Sequence, residues 1–244
     1  ILQQGEISAA IKTSANGSLA GDFVGGFHGD EWLSSVSLIA DGVPVSIHNA
    51  EARVIRCNSL IFDQTTMLYE WGTSTETSHG EELAEHKQHF TITRSNGINN
   101  RQSLDWKQSI DISLAYLQMF TLNRSACETV SAFDASGRMT GSETVTETIT
   151  KDNTKTILNN LNNRLVKYSS AITGIRARAG YELYTVGNGN EAKVNSYHVL
   201  VRQYGDNKLY VSFAPADGGN TVQNGSKWTV DVSYLLDYVA PDAE

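Results

Sequence analysis

Hydrophobic and polar residues alternate with a period of two along most of this chain. Such alternation, with β-branched and aromatic residues between turn-forming clusters, is typical of half-buried β-strands. Two turn sequences, Asn16-Gly17 and Asp41-Gly42, predict hairpins, because both central residues of such turns adopt positive φ. The strands that these turns would join are 6–13 with 18–24 and 35–40 with 43–48.

The same pattern continues almost to the end of the chain. Further strands are predicted over 66–71, 84–94, 101–108, 144–150, 172–185, 192–204, 208–213 and 227–238. Segment 109–120 fits two periods: Ile110, Leu114 and Leu117 follow helical spacing, whereas Ile110, Ile112 and Leu114 follow strand spacing. We expect a strand there with a short helical turn.

The sequence contains no long stretch with helical periodicity and helix caps, and its predicted strands do not alternate with helices. Many antiparallel strands without helices favour an all-β fold, an antiparallel β-sandwich or jelly roll. A right-handed β-helix is the competing architecture, but its coils would produce a repeat that the sequence does not show.

Composition narrows the class of protein. At 244 residues, the chain is expected to form a single domain, 1–244, and its start at Ile1 rather than Met suggests a piece of a longer chain. It has no apolar run of the roughly 18 to 20 residues that a membrane helix needs, so no membrane partner is expected. A formal charge of −8 argues against nucleic-acid binding, which needs clustered Lys and Arg. Cys57 and Cys127 could form one disulfide or remain two free thiols.

Charge is unevenly distributed. Residues 1–90 contain twelve acidic and four basic side chains, whereas residues 164–208 contain seven basic and three acidic ones. If the strands of the basic segment share a sheet face, they form a positive surface on an acidic protein, which favours an anionic ligand.

Strand alternation also predicts which polar side chains face the same way. The outward residues are Lys87 and His89 in strand 84–94, Arg176, Arg178 and Tyr184 in strand 172–185, and His198, Arg202 and Tyr204 in strand 192–204. These faces contain His, Tyr, Arg and Lys but few acids. They could also be ordinary solvated sheet faces, which antiparallel sheets often expose.

Cleavage of a uronate-containing polysaccharide by β-elimination needs this set of groups: a base for the proton α to the carboxylate, cations for the carboxylate, and an acid for the leaving oxygen. The catalytic candidates are His89, Tyr184, His198 and Tyr204. The substrate-binding candidates are Lys87, Arg176, Arg178 and Arg202, with Tyr197 as a surface on which a sugar ring could stack.

The sequence gives weaker support for two other kinds of chemistry. A hydrolase needs a carboxylate pair, and Glu143 with Glu147 would share one strand face, but alternating Thr and Glu is ordinary for an exposed strand. His28 and Glu31 form a His-x-x-Glu pair after a glycine turn, which resembles the first zinc-ligand motif of carboxypeptidase-type metallohydrolases and would need a third, distant ligand such as His198.

Four segments together resemble domains of bacteriophage tail and tailspike proteins. They are Gly25-Gly26-Phe27-His28-Gly29-Asp30-Glu31, Ile39-Ala40-Asp41-Gly42, the strand 86–93, and Asp105-Trp106 with Tyr116-Leu117-Gln118-Met119. This resemblance covers about the first half of the chain and implies contact with host surface glycans, as a depolymerase or as a binder. The size and the polar faces are also similar to jelly-roll polysaccharide lyases, although the R-x-E-x-R strand and the Gln-Ile-His triplet of one alginate-lyase group are missing.

The leading hypothesis is an extracellular or virion-associated lyase that acts on an anionic polysaccharide without a cofactor. The alternative is a non-catalytic glycan-binding or adhesion module, for example in a homo-oligomeric fibre. The third is a zinc hydrolase centred on His28 and Glu31.

Overall fold

The computed structural model describes residues 9–13, 23–47, 54–75, 77–124, 126–145, 155–185, 192–201 and 206–238. Over these residues the chain forms strands, with a single 3₁₀ turn at Gly26–His28 and no α-helix. In chain order the strands are β1 (Ala10–Thr13), β2 (Phe23–Val24), β3 (Glu31–Ala40), β4 (Val43–Pro44), β5 (Ser59–Tyr69), β6 (Glu82–Thr93), β7 (Gly97–Trp106), β8 (Ile110–Asn123), β9 (Thr129–Asp134), β10 (Met139–Thr144), β11 (Lys155–Leu158), β12 (Asn163–Ser169), β13 (Ile175–Thr185), β14 (Ala192–Val201), β15 (Asp206–Pro215), β16 (Thr221–Val222) and β17 (Lys227–Tyr238). None of the described segments is a helix long and apolar enough to cross a membrane.

The strands form two antiparallel sheets. The large sheet has ten strands in the order β10-β9-β12-β13-β17-β7-β6-β5-β3-β4. The small sheet has seven, in the order β11-β14-β15-β8-β1-β2, with β16 also paired to β8. The predicted all-β antiparallel sandwich is therefore confirmed, in a form wider than an eight-stranded jelly roll.

The core lies between the two sheets, and strand alternation explains how it is filled. In β17 every second side chain, from Trp228 to Tyr234, is buried, and in β13 the buried set is Ala177, Ala179 and Tyr181. The ring of Tyr181 meets the ring of Phe213 from the small sheet edge to face, with centroids 5.9 Å apart. Burial of these alternate residues leaves the intervening side chains of β13 and β17 on the opposite face, which we call the outer face of the large sheet.

Side-chain hydrogen bonds that cross the core, two of which join β8 to β13 and β17, fix the sheets relative to each other. The amide nitrogen of Gln118 on β8 donates to the carbonyl oxygen of Gly180 on β13 at 2.8 Å. The hydroxyl of Tyr234 on β17 donates to the carbonyl oxygen of Met119 at 3.3 Å. A buried polar group without such a partner would cost free energy on folding, so these side chains favour one stacking of the two sheets.

The Asp41-Gly42 hairpin forms as the sequence predicts. Both turn residues have positive φ, 47° and 81°, and β3 pairs with β4 through Ala40 and Val43. The carboxylate of Asp41 also accepts hydrogen bonds from the backbone nitrogens of Asn58 and Ser59, each at 2.9 Å. The first predicted hairpin is seen as the antiparallel pair β1 and β2, while its Asn16-Gly17 turn lies outside the described residues.

The segment with two competing periods is strand throughout. β8 pairs with β1 on one side and β15 on the other, and its residues 117–122 are all buried. Apolar residues therefore occupy both faces, which imitates helical spacing in the sequence. The expected helical turn does not form.

The two cysteines are free thiols. Cys57 is exposed, whereas Cys127 is buried and its thiol donates to the carbonyl oxygen of Ile175 at 3.5 Å. Burial raises the pKa of the Cys127 thiol to about 11, with a further contribution from the charge of Glu128. A thiol in this state is a poor nucleophile at neutral pH.

Candidate functional site

A continuous row of polar side chains crosses six neighbouring strands on the outer face of the large sheet. We call it the polar row, and in spatial order it consists of Ser37, Asp63, His89, Arg101, Asp231 and Glu182. Each member lies directly opposite the next in the strand register. The row is therefore a consequence of antiparallel pairing, which brings positions remote in the sequence side by side.

Hydrogen bonds hold the side chains of the polar row in place. His89 Nδ1 lies 2.6 Å from Asp63 Oδ1, and Ser37 Oγ donates to Asp63 Oδ2 at 3.3 Å. Arg101 donates through both Nε and Nη2 to the two carboxylate oxygens of Asp231, at 2.7 and 2.6 Å. Such a bidentate pair fixes the guanidinium plane as well as its position.

One end of the polar row opens into a groove with a volume of about 940 Å³, which we call the outer groove. This is at the upper end of the range of about 300–1,000 Å³ that is usual for ligand pockets. Its charged lining consists of His89, Arg101, Arg164, Asp134, Glu182 and Asp231. Cations and carboxylates are mixed, with one more carboxylate than guanidinium, so the groove offers both donors and acceptors without a net positive field.

Arg164 lines the groove, but its guanidinium lies on the core-facing side of the sheet, where Tyr181 fixes it. Its Nη1 donates to the Tyr181 hydroxyl at 2.8 Å, and its guanidinium lies 5.2 Å from the centre of the Tyr181 ring. The Tyr181 hydroxyl in turn donates to the carbonyl oxygen of Asn163 at 2.8 Å. Burial raises the pKa of Tyr181 to about 12, against the opposing effect of Arg164, so this phenol is a neutral positioning group and not a base.

The hairpin turn between β9 and β10 forms one wall of the groove. Asp134 Oδ1 accepts hydrogen bonds from the Ser136 hydroxyl and from the backbone nitrogens of Ser136 and Arg138. These bonds, the Ser136 hydroxyl first, lower the pKa of Asp134. The carboxylate therefore stays ionised at neutral pH and keeps the turn rigid.

A second, smaller pocket of about 290 Å³ lies further along the same outer face, and we call it the basic pocket. Its cations are Lys167 on β12 with Arg176 and Arg178 on β13, and Phe133 and Leu235 are among its apolar residues. The ammonium of Lys167 lies 4.5 Å from the centre of the Phe133 ring.

The structure brings four of the predicted site residues to the outer face. His89 belongs to the polar row, and Lys87, two residues away on β6, is paired with Glu85 at 2.5 Å. Arg176 and Arg178 point outward as predicted but line the basic pocket and not the outer groove. Sequence alternation therefore indicated the correct face for all four, but not their distribution over it.

Two predicted residues lie on the other sheet. Tyr197 and His198 are on β14 of the small sheet, so the core separates them from His89. Tyr197 is only 1% exposed, and burial raises its pKa, which rules it out as a surface on which a sugar stacks. The expectation that His198 and Tyr197 join the same trench as His89 is wrong, because β14 pairs with β15 and not with a strand of the large sheet.

Three predicted residues lie wholly or partly outside the described part of the structure. The backbone of Tyr184 lies opposite Thr229 on β17, but its side chain is outside the described part of the structure. Arg202 and Tyr204 lie outside the described residues altogether.

The proposed zinc pair does not converge. Glu31 faces His86, with Glu31 Oε1 3.1 Å from His86 Nδ1, while the ring of His28 packs against Phe23 at 5.1 Å. Within the described ranges, no group of three or more His, Cys, Asp or Glu side chains is arranged to hold a metal ion. The interpretation of His28 and Glu31 as metal ligands is corrected accordingly: Glu31 takes part in a buried ion pair.

Sequence reasoning missed Asp63, Arg101 and Asp231. Each stands at an outward position of a strand, so alternation could have placed each on a polar face. Their common location depends on the register of four strands, β5, β6, β7 and β17, and no pattern within a single strand contains that register.

Comparison with known proteins adds information on the fold. No protein-family model matches the chain, and no curated protein matches its sequence. Two solved structures of GH36 α-galactosidases from Geobacillus stearothermophilus contain the same fold. AgaA matches with a TM-score of 0.51 and 11% identity, and AgaB with a TM-score of 0.50 and 11% identity, each over 94% of this chain and 30% of the galactosidase.

These matches show the fold alone, and this chain spans about a third of the length of the galactosidases. A galactose mutarotase-like protein from Clostridium acetobutylicum matches more weakly, with a TM-score of 0.38 and 7% identity over 78% of this chain and 66% of that protein. None of these three is a phage tail protein or a polysaccharide lyase. The resemblance to those classes remains a prediction.

Proposed function

We propose that this β-sandwich is a glycan-binding module and that the outer groove holds a neutral saccharide. The observation that carries the proposal is the polar row, whose pre-positioned donors and acceptors open into a cavity of ligand size. Sugar hydroxyl groups donate and accept hydrogen bonds at once, so they match a lining that contains both guanidinium and carboxylate groups.

The charge of the groove favours a neutral over an anionic saccharide. Arg101 is neutralised by its bidentate pair with Asp231, and Asp134 and Glu182 add further negative charge. A uronate at this position would meet carboxylates as often as cations. The anionic polysaccharide that the sequence suggested is therefore a poorer match for the outer groove than a neutral one.

The fold supports the proposal indirectly. AgaA and AgaB are named as α-galactosidases, and a variant of AgaA is known in complex with 1-deoxygalactonojirimycin. A sandwich that occurs within carbohydrate-active enzymes is a reasonable scaffold for saccharide recognition, whatever the reaction of the remainder of those chains.

A second candidate is the β-elimination lyase. The pair of His89 and Asp63 favours it, because a carboxylate at 2.6 Å from Nδ1 orients the imidazole and supports Nε2 as a proton acceptor. Lyase action on a uronate polymer creates an unsaturated product that absorbs ultraviolet light. Binding without that absorbance supports the module.

The test compares glycan binding by the native protein and by Arg101→Gln. A glycan array would first select a neutral oligosaccharide, whose affinity is then measured by titration calorimetry. Because hydrogen bonds to charged groups contribute about 1.5–3 kcal/mol, Arg101→Gln should weaken binding by about tenfold or more.

Lys227→Gln is the matched control, since Lys227 is exposed on the same face of β17 but does not line the groove. Its affinity should equal that of the native protein. The proposal fails if no neutral glycan binds, or if the two variants bind a neutral glycan equally well.

A further inference from the structure

The basic pocket brings three like charges together. Lys167 and Arg178 lie directly opposite each other on β12 and β13, and Arg176 follows two residues along β13 on the same face. Like charges directly opposite in a sheet are destabilising. The arrangement therefore has a cost in the unliganded protein that a bound anion would remove.

Protein carboxylates do not neutralise this cluster. Over the described residues, none of the six ion pairs includes Lys167, Arg176 or Arg178. The acidic residue nearest in register is Asp237, which lies opposite Arg176 and also lines the pocket. With Asp237 counted, the pocket retains a net charge of +2 on a protein whose overall charge is −8.

The pocket also has an apolar surface suited to a sugar ring. Phe133 and Leu235 are part of its lining, and Phe133 lies directly opposite Leu165, which lines the outer groove. The two cavities are therefore neighbours on one sheet face. Glu182 and Arg178 are four residues apart on one face of β13, a separation of about 13 Å, which an oligosaccharide can bridge.

We propose that the basic pocket is an acidic-group subsite, in which Arg176, Arg178 and Lys167 bind the carboxylate or sulfate of a saccharide whose neutral part occupies the outer groove. This inference rests on the proposed glycan-binding function and specifies its ligand. Guanidinium groups pair bidentately with planar and tetrahedral oxyanions, while Phe133 supplies an apolar face for the ring that carries the acid.

The experiment measures calorimetric affinity for a neutral hexose oligomer and for an oligomer of equal length that is neutral except for one terminal hexuronate, with inorganic sulfate as a third probe. The native protein should prefer the hexuronate by about tenfold or more, and added salt should reduce this preference. In Arg176→Gln/Arg178→Gln the two affinities should agree within about twofold, with neutral binding unchanged.

Lys193→Gln is the control, because Lys193 is an exposed cation on β14 of the other sheet. It should retain the preference. A neutral oligomer that carries a sulfate group is measured in parallel. It shows whether the subsite binds a carboxylate, a sulfate or both, and each of these results is consistent with the subsite. Thermal unfolding of each variant confirms that it is folded.

The inference is overturned if the double variant keeps the preference for the hexuronate, or if inorganic sulfate alone binds as tightly as the acidic oligomer. Failure of the proposed function gives a different result. In that case the neutral oligomer does not bind at all and Arg101→Gln has no effect, whereas binding of the hexuronate still depends on Arg178.

Discussion

Glu31 and His86 are 55 residues apart in the chain and form an ion pair beneath the outer face. His86 is fully buried, and the Glu31 side chain is 7% exposed. The amide nitrogen of Gln102 donates to the carbonyl oxygen of Leu117 at 2.7 Å, which turns its amide oxygen towards His86 Nε2 at 3.2 Å. The imidazole of His86 is therefore held between an oxygen of Glu31 at Nδ1 and the amide oxygen of Gln102 at Nε2.

The Glu31 carboxylate remains ionised although it is buried. Burial alone raises its pKa, but the hydrogen bond and charge of His86, with hydrogen bonds from the Thr66 hydroxyl and the Gly26 backbone nitrogen, outweigh this effect. The net result is a pKa below the ordinary 4.5. The Gly26 bond also ties the glycine-rich turn to the sheet.

At this scale we expect Glu31→Gln to destabilise the protein by about 3 kcal/mol, because it removes the buried carboxylate that contacts His86, the Thr66 hydroxyl and the Gly26 backbone nitrogen. Chemical denaturation at pH 7 measures the change. Asp63→Asn is the matched control: it removes the acid of the exposed pair with His89, whose side chains are 51% and 45% accessible, and should cost less than about 1 kcal/mol. Equal losses in the two variants would contradict the account.

At the scale of the element, hairpin turns depend on glycines for two separable reasons. Gly97 at the start of β7 and Gly137 between β9 and β10 both have positive φ, 69° and 80°. A side-chain carbon at Gly137 would meet nothing within 4 Å, whereas one at Gly97 would lie 2.2 Å from the carbonyl oxygen of Tyr234. Only Gly97 is also needed for close approach of two strands.

Gly137→Ala should therefore lower the free energy of unfolding by about 1 kcal/mol, the usual cost of left-handed backbone for alanine. Gly97→Ala should cost more than about 2 kcal/mol, because β7 must also move away from β17. Urea denaturation of the two variants measures the difference. If the two losses are the same, backbone conformation alone explains both positions.

Strand prediction succeeded where one face is buried and the other exposed. β17 was expected at 227–238 and is observed as Lys227–Tyr238. β9 and β12 were missed, although both are regular strands, because Ser, Asn and Asp in and around them resemble turn sequences. β8 was ambiguous because it is buried on both faces.

At the scale of the whole molecule, carboxyl groups with lowered pKa values and tyrosines with raised pKa values set the lower and upper limits of the pH range in which the protein is stable. Hydrogen bonds, chiefly from Ser59 to Asp41 and from Ser136 to Asp134, and the surroundings of Glu31 lower the pKa of these three carboxyls. Burial raises the pKa of five tyrosines: Tyr116, Tyr168, Tyr181, Tyr197 and Tyr234.

A carboxyl with a lowered pKa in the folded state contributes stability above its ordinary value, near 4, and this is lost as the pH falls further. A tyrosine with a raised pKa contributes stability below its ordinary 10 that is lost as the pH rises further. We expect the free energy of unfolding to fall below about pH 4.5 and above about pH 10, and urea denaturation over a pH series measures it. In Glu31→Gln the free energy of unfolding should fall less steeply below pH 4.5 than in the native protein. An identical fall in the two proteins would refute the role of Glu31.

The sequence by itself determined the fold class, the hairpin at Asp41-Gly42 and the outward direction of Lys87, His89, Arg176 and Arg178. These properties follow from the two-residue period of a strand and from turn chemistry, which are local. Only the tertiary structure decided that Arg101 and Asp231 join His89, that the Arg176 cluster forms a separate pocket, and that His198 belongs to the other sheet. Strand order and register depend on pairing between segments remote in the chain, and a period within one strand carries no information about its neighbour.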